Sequence, residues 1–261
     1  MDPQTRLVIA TPQGANKIYR TEDNRQAEGR LGLRVHDQSD MSRQTLDIQV
    51  GGEAALCYLP DPCVPFRHSR YEQVQTFTID ASTKDSKDGS ICVLDWVTQG
   101  RAARGENWDF HLWKGRNEVW SRDKEKDKRR LLIRDSVILD DEYDEVRGRP
   151  RISLREHTGG NEIIGTLILY GPVFGGLASF MLDRFASQKR IGAQNWSSSV
   201  PDGSESSPHS EVIWTAAQMR GGTVVKFGTT DSDAAKQWLG GLLREEGSVA
   251  REFGESALFC L

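Results

Sequence analysis

Cys57, Cys63 and His68 lie within twelve residues, and sulfur and imidazole ligands at that density suit a soft divalent metal such as nickel or zinc. Their spacing matches none of the standard zinc modules. Cys57 also sits in an apolar run, Ala55 to Leu59, that reads as a strand, where a thiol behaves as a small hydrophobe. A high-affinity nickel or zinc store on these three residues and a purely structural role are both open at this level. A second candidate is the segment Asp95-Trp96-Val97-Thr98-Gln99-Gly100-Arg101-Ala102-Ala103-Arg104-Gly105-Glu106. A β-type run ends there at Gly100, and two glycines let the backbone turn or approach another chain closely. Arg101 and Glu106 are thereby placed on a connection between strands, where charged side chains are free to bind. Nothing in it resembles a nucleophile, a phosphate loop or a closed metal cage, so it reads as a contact or relay surface.

The usual catalytic signatures are missing. There is no Gly-x-Ser-x-Gly elbow, no Gly-x-x-x-x-Gly-Lys-Ser/Thr loop and no His-Glu-x-x-His pair. Gly171 to Gly176 opens a helical pattern whose first amides suit an anion, but it lacks the lysine of a phosphate loop, and helix-on-sheet packing explains it better. His36, His111, His157 and His209 are scattered, each without a second ligand at helical or hairpin spacing. The acidic run from Asp140 to Glu145 attracts a cation weakly and reads as a solvated loop. No enzyme is expected.

The elements that must position these residues are mostly strands. Leu46 to Val50 alternates at period two, Gly51-Gly52 then turns it into Glu53 to Leu59, and the pair reads as a hairpin. Val74 to Ile79, Ile91 to Val97, Trp108 to Trp113, Glu118 to Ser121 and Leu131 to Leu139 follow, with Val212 to Ala216 and Thr223 to Phe227 later. Helical spacing appears at Leu177, Phe180, Met181 and Phe185. It returns after Asp231 or Ser232 as N-cap, with Ala235, Trp238, Leu239, Leu242 and Leu243 turned inward. The expected fold is mainly β, a layered or helical arrangement of many short strands with two α-helices of the C-terminal half packed on the sheets. Residues 1–261 read as one domain, with 122–130 as a charged hairpin tip and 197–210 as a flexible polar loop insertion.

Bulk properties narrow the partners. The net charge of −4 over 261 residues is too mild for nucleic acid or an anionic membrane as main partner. No apolar run approaches the roughly 20 residues of a spanning helix. The first residues lack a signal-peptide layout, so a cytoplasmic location is expected. The four cysteines form no Cys-x-x-Cys pair and read as free thiols, and the sequon at Asn195 reads as chance.

Several motifs occur in a fixed order. Gly100 to Glu106 resembles the Gly-Arg-x-Ala-x-Gly-Glu signature of the UreD (UreH) family of urease accessory proteins. Thr11 to Arg20 resembles that family's Thr-Pro-x-x-x-x-Lys-x-Tyr-Arg block, and Leu59-Pro60-Asp61-Pro62 through Phe66 its Leu-Pro-(Asp/Glu)-Pro-x-x-x-Phe block, in the form of fungal and plant members. Tyr71-Glu72-Gln73 and Asp135 to Leu139 also fit, so the resemblance runs from about Leu7 to the C-terminus.

The resemblance implies a non-catalytic scaffold that binds UreF, which recruits the GTPase UreG, and that contacts the urease apoprotein. It implies transient nickel(II) with no permanent cofactor, moving through an internal water-filled passage. A passage should hold the ion weakly through oxygen ligands, since a closed Cys/His cage would trap it. By motif, Glu106 is the first candidate for a path-lining carboxylate, balanced by Arg101; the alternative is an Arg–Glu pair that fixes the turn. Asp61 is a second candidate, or else a turn-forming Asp, and Asp135 a third. The family also implies an N-terminal segment with a Gly-Gly-Asp element ahead of the Thr-Pro block. This chain begins almost at that block and is expected to lack the segment.

Overall fold

The computed structural model describes residues 4–10, 16–19, 41–81, 87–123, 126–141, 153–188 and 212–261. The loop expected at 197–210, the sequon, His36, His209 and the run from Glu142 lie outside the described residues. Strands β1 (Arg6–Ala10), β4 (Ala55–Leu59), β7 (Ser90–Thr98), β10 (Ile163–Tyr170), β12 (Gly222–Thr229) and β11 (Ile213–Met219) lie side by side in that order in a large sheet. The short β5 (Cys63–Pro65) pairs with β7 and carries β2 (Asn16–Ile18). A second sheet has the order β3 (Ser42–Val50), β6 (Arg70–Asp80), β8 (Leu112–Asp123) and β9 (Lys128–Asp140).

From β3 to β8 the chain winds between the two sheets. Each return lays a strand parallel to the one before it, so β3–β6, β6–β8 and β4–β7 are all parallel. Parallel neighbours need a crossover, and here a strand of the facing sheet serves in place of a helix. This corrects the hairpin expected at Gly51-Gly52. β3 and β4 do not pair; the turn, closed by Ala54 N–H donating to Gly51 O at 3.2 Å, passes the chain from one sheet to the other. The later strands are antiparallel, in β8–β9 and in β7–β10–β12–β11. The aromatic alternation from Trp108 is also not a strand until Leu112. Trp108 takes a left-handed φ of 59°, and its indole N–H donates to Asn161 O at 3.0 Å.

Four α-helices are described: α1 (Leu154–His157), α2 (Gly175–Ala186), α3 (Ser232–Glu246) and α4 (Ser248–Phe253). Asp231 caps α3 by accepting the N–H of Asp233 at 2.9 Å. The period of α3 then buries Ala235, Leu239, Leu242 and Leu243. Leu177 and Met181 of α2 join them in a core between helices and large sheet, each fully buried leucine contributing roughly 1.5–3 kcal/mol. The result is three layers: helices, large sheet, small sheet. No helix among the described residues is long and apolar enough to cross a membrane.

Candidate functional site

The layer between the two sheets is not uniformly apolar. At one end Val50, Leu56, Phe77, Ile91, Val93 and Ile168 pack together; at the other, Tyr71, Val97, Trp113 and Leu139. Side chains alternate along a strand, so inward positions are two residues apart. Reading only those, β7 runs Ile91, Val93, Asp95, Val97 and β10 runs Ile168, Thr166, Ile164. The inward positions of β8 are Val119, Asn117, Gly115 and Trp113, and those of β6 are Phe77, Gln75, Gln73 and Tyr71. Each strand interrupts its apolar face near the same level. Register makes the interruptions one band, with Asp95 beside Thr166 and Thr166 beside Lys226 in the large sheet, and Gln75 beside Asn117 and Asn117 beside Asp135 in the small one. A polar seam thus crosses the interior at right angles to the strands. Burying such groups is costly unless they are bonded, so the seam demands partners.

Asp95 is the centre of the seam. Its carboxylate accepts from Gln73 Nε2 at 3.1 Å and from Asn117 Nδ2 at 2.7 Å. Burial raises its pKa above the ordinary carboxylate range, and nearby Asp135 adds to the effect, against the two amide hydrogen bonds and Lys226. Because both amides turn their nitrogens to the carboxylate, Asn117 Oδ1 faces away and has no partner among the described residues; Gln75 Oε1, beside it in register, has none among them either. Two orphaned carbonyl oxygens next to a buried carboxylate suit water or a hard cation. Two residues before Asn117 on β8, Gly115 admits the Trp113 ring beside Asp95: a Cβ there would sit 2.4 Å from the ring and 3.1 Å from Asp95 Oδ2.

Three cavities follow the seam. One of about 450 Å³ is lined by Tyr58, Asp61, Cys63, Gln73, Gln75 and Asp95. One of about 350 Å³ lies on the other side of Asp95, against Trp113, Thr166 and Lys226. A third, about 400 Å³, shares Asp61 with the first and is walled by Glu162 and Lys236. Asp95, with Trp96, is therefore shared by the first two cavities, and Asp61 by the first and third. Asp61, 6% exposed, is ion-paired with Lys236 at 3.0 Å. Asp135 is ion-paired with Lys226 at 2.6 Å and accepts from the Thr166 hydroxyl at 3.1 Å, so it joins two residues lining the second cavity.

Glu106 sits differently. It is buried within the Gly100–Glu106 loop, and its carboxylate is clasped by the Arg101 guanidinium and accepts the Arg101 backbone N–H at 3.2 Å. Those bonds hold its pKa below the usual range. Arg101 in turn lies over the Phe66 ring, 3.8 Å from its centroid. Gly100, at φ 114°, admits the turn, with Pro65 O only 3.0 Å from where a Cβ would stand. Glu106 lines none of the three cavities along the seam. Of the soft ligands, Cys57 belongs to the helix-side core, paired in register with Cys92, whereas Cys63 faces the first cavity. Burial, then the charge of Asp95, pushes the Cys63 thiol up to about 12, so it stays a weakly binding thiol. His68 lies in a left-handed turn against the His111 ring, in a separate polar cleft. Among the described residues no group of three or more His, Cys, Asp or Glu is arranged to hold a metal.

The family model described as UreD urease accessory protein matches residues 1–256. The chain belongs to that family. An uncharacterized urease accessory protein ureD-like of Schizosaccharomyces pombe is 30% identical over 76% of this chain and 62% of its own length. Urease accessory protein D of Arabidopsis thaliana is 33% identical over 62% of this chain and 44% of its own. The UreD protein of Sorangium cellulosum is 28% identical over 80% of this chain and 55% of its own. The matched part of this UreD chain therefore spans 44% to 62% of the length of these relatives.

Within this UreD chain, Asp95, Gln73, Gln75 and Asn117 are the site residues that sequence reasoning passed over. The signal was present in β7. Ile91-Cys92-Val93-Leu94-Asp95-Trp96-Val97 is an apolar run buried on both faces, and Asp95 is its single charge.

Proposed function

We infer that this chain is a non-catalytic scaffold of urease maturation that passes Ni²⁺ along the inter-sheet seam toward the urease apoprotein, in an assembly with UreF and, through UreF, UreG. Family membership supports the setting. The observation that carries the transfer role is Asp95, shared by two cavities, bonded to Asn117 and lining one cavity with Gln75, whose amide oxygens have no partner among the described residues. Oxygen ligands with room for water hold a divalent ion loosely enough to release it, as transport requires. Asp61 and Asp135 extend the same donor chemistry to either side, and the protonated Cys63 does not compete as a trap. Cytoplasmic work with transient nickel and no resident cofactor fits this role.

Asp95→Asn tests the role. It keeps size and hydrogen bonding, since Asn117 can reverse its amide and accept from the new one. The full chain is co-expressed with urease and the other accessory proteins. Pull-down is expected to recover the same assembly, while the nickel content of urease, by elemental analysis, falls about tenfold. Full nickel loading with the variant would refute the passage.

A further inference from the structure

The two ends of the seam differ from its middle in a way that the passage alone does not require. Asp95 is held by two neutral amides, whereas Asp61 and Asp135 are each ion-paired with a lysine, from α3 and from β12 respectively. The lysines come from unrelated elements, yet each lines the outer cavity on its own side. Exposure is lopsided within each pair. The Lys226 and Lys236 side chains are 45% and 33% exposed, against 12% and 6% for their carboxylates. An ammonium on a four-carbon stem can swing into water without disturbing the fold, whereas a buried carboxylate has nowhere to go.

We propose that Lys226 and Lys236 are tethered counter-ions that a divalent cation must displace at either end of the seam; the inference rests on the passage reading and adds the residues that set its occupancy. An unpaired buried carboxylate is strongly disfavoured and would hold a passing cation tightly. With the ammonium in place, the empty seam is satisfied at both ends. An arriving Ni²⁺ takes over the carboxylate while the lysine moves out to water, and the lysine's return favours release. The lysines weaken binding, and weak binding is what passage needs.

Equilibrium dialysis of the purified full chain against NiCl₂ tests this. Lys226→Met and Lys236→Met are each expected to retain about fivefold more nickel than wild type, the size of one such ion pair. Lys226→Arg, which restores the charge, should bind like wild type, and Lys226→Gln should follow the Met variant. Retention that is unchanged or lower in the Met and Gln variants, at wild-type melting temperature, overturns the inference. Asp95→Asn, alone and combined with Lys226→Met, separates the two levels. If it lowers retention while the lysine variants do not raise it, only the counter-ion role fails. If it changes nothing in either background, the passage fails and takes the counter-ion role with it.

Discussion

Glu106 and Asp95 are both acids shielded from water, yet each is satisfied in the opposite manner. Glu106 closes a loop on itself: Arg101 clasps it, the turn supplies a backbone N–H, and no cavity along the seam touches it. The Asp95 carboxylate, among the described residues, accepts from two neutral amides, and it fronts cavities on either side. The first arrangement spends the carboxylate on the fold. The second leaves it available to a visitor, at the expense of stability. Burial alone does not distinguish the two arrangements; the cavities that Asp95 faces, and Glu106 does not, do.

That contrast is open to attack. The largest expected effect is on transfer: Asp95→Asn lowers nickel delivered to co-expressed urease about tenfold, whereas a folded Glu106→Gln chain stays within about twofold. Equal losses would erase the distinction. Next comes stability. Glu106→Gln leaves Arg101 without its charged partner and is expected to destabilise by about 1–3 kcal/mol, read as a lower melting temperature, while Asp95→Asn melts at or above wild type at pH 7.

The pH dependence should separate them further. Glu106 has a lowered folded pKa, so its stabilisation is complete above the ordinary carboxylate value of about 4.3 and is lost as pH falls through the folded value. The gap between wild type and Glu106→Gln should therefore close in acid. Asp95 has a raised folded pKa, so wild type loses stability as pH rises from about 4 toward that value. The advantage of Asp95→Asn should grow over the same interval. Chemical denaturation at a series of pH values checks both signs. The smallest expected effect is Cys63→Ser, with nickel delivery within about twofold of wild type because a protonated thiol contributes little. A large loss there would revive a soft-ligand role.

Much of the scaffold was legible in the residues. The cap at Asp231, the inward stripe of α3 and the alternating strands all follow from local periodicity. The partner of each strand did not, because Gly51-Gly52 has the chemistry of a hairpin turn and is used to change sheets. Asp135 lies in the seam and Asp61 lines two of its cavities, while Glu106, put first by its family motif, lines none of the three. The seam itself was hidden for a physical reason. Each strand contributes only one or two polar inward residues, unremarkable alone, and register brings Asp95, Thr166 and Lys226 into one row and Gln75, Asn117 and Asp135 into the other.

The winding of β3 to β8 between facing layers also bears on how the protein comes into being. Its parallel pairs join residues distant in sequence, and such long-range topologies fold slowly. The seam draws its walls from positions as far apart as Asp61 and Lys236, so the β8–β9 hairpin, which sets Asn117 beside Asp135, contains only one row of it. The full seam, with Asp95 facing Gln73 and Asn117 across the layers, exists only once the two sheets close, so the transfer role proposed above requires the completed fold.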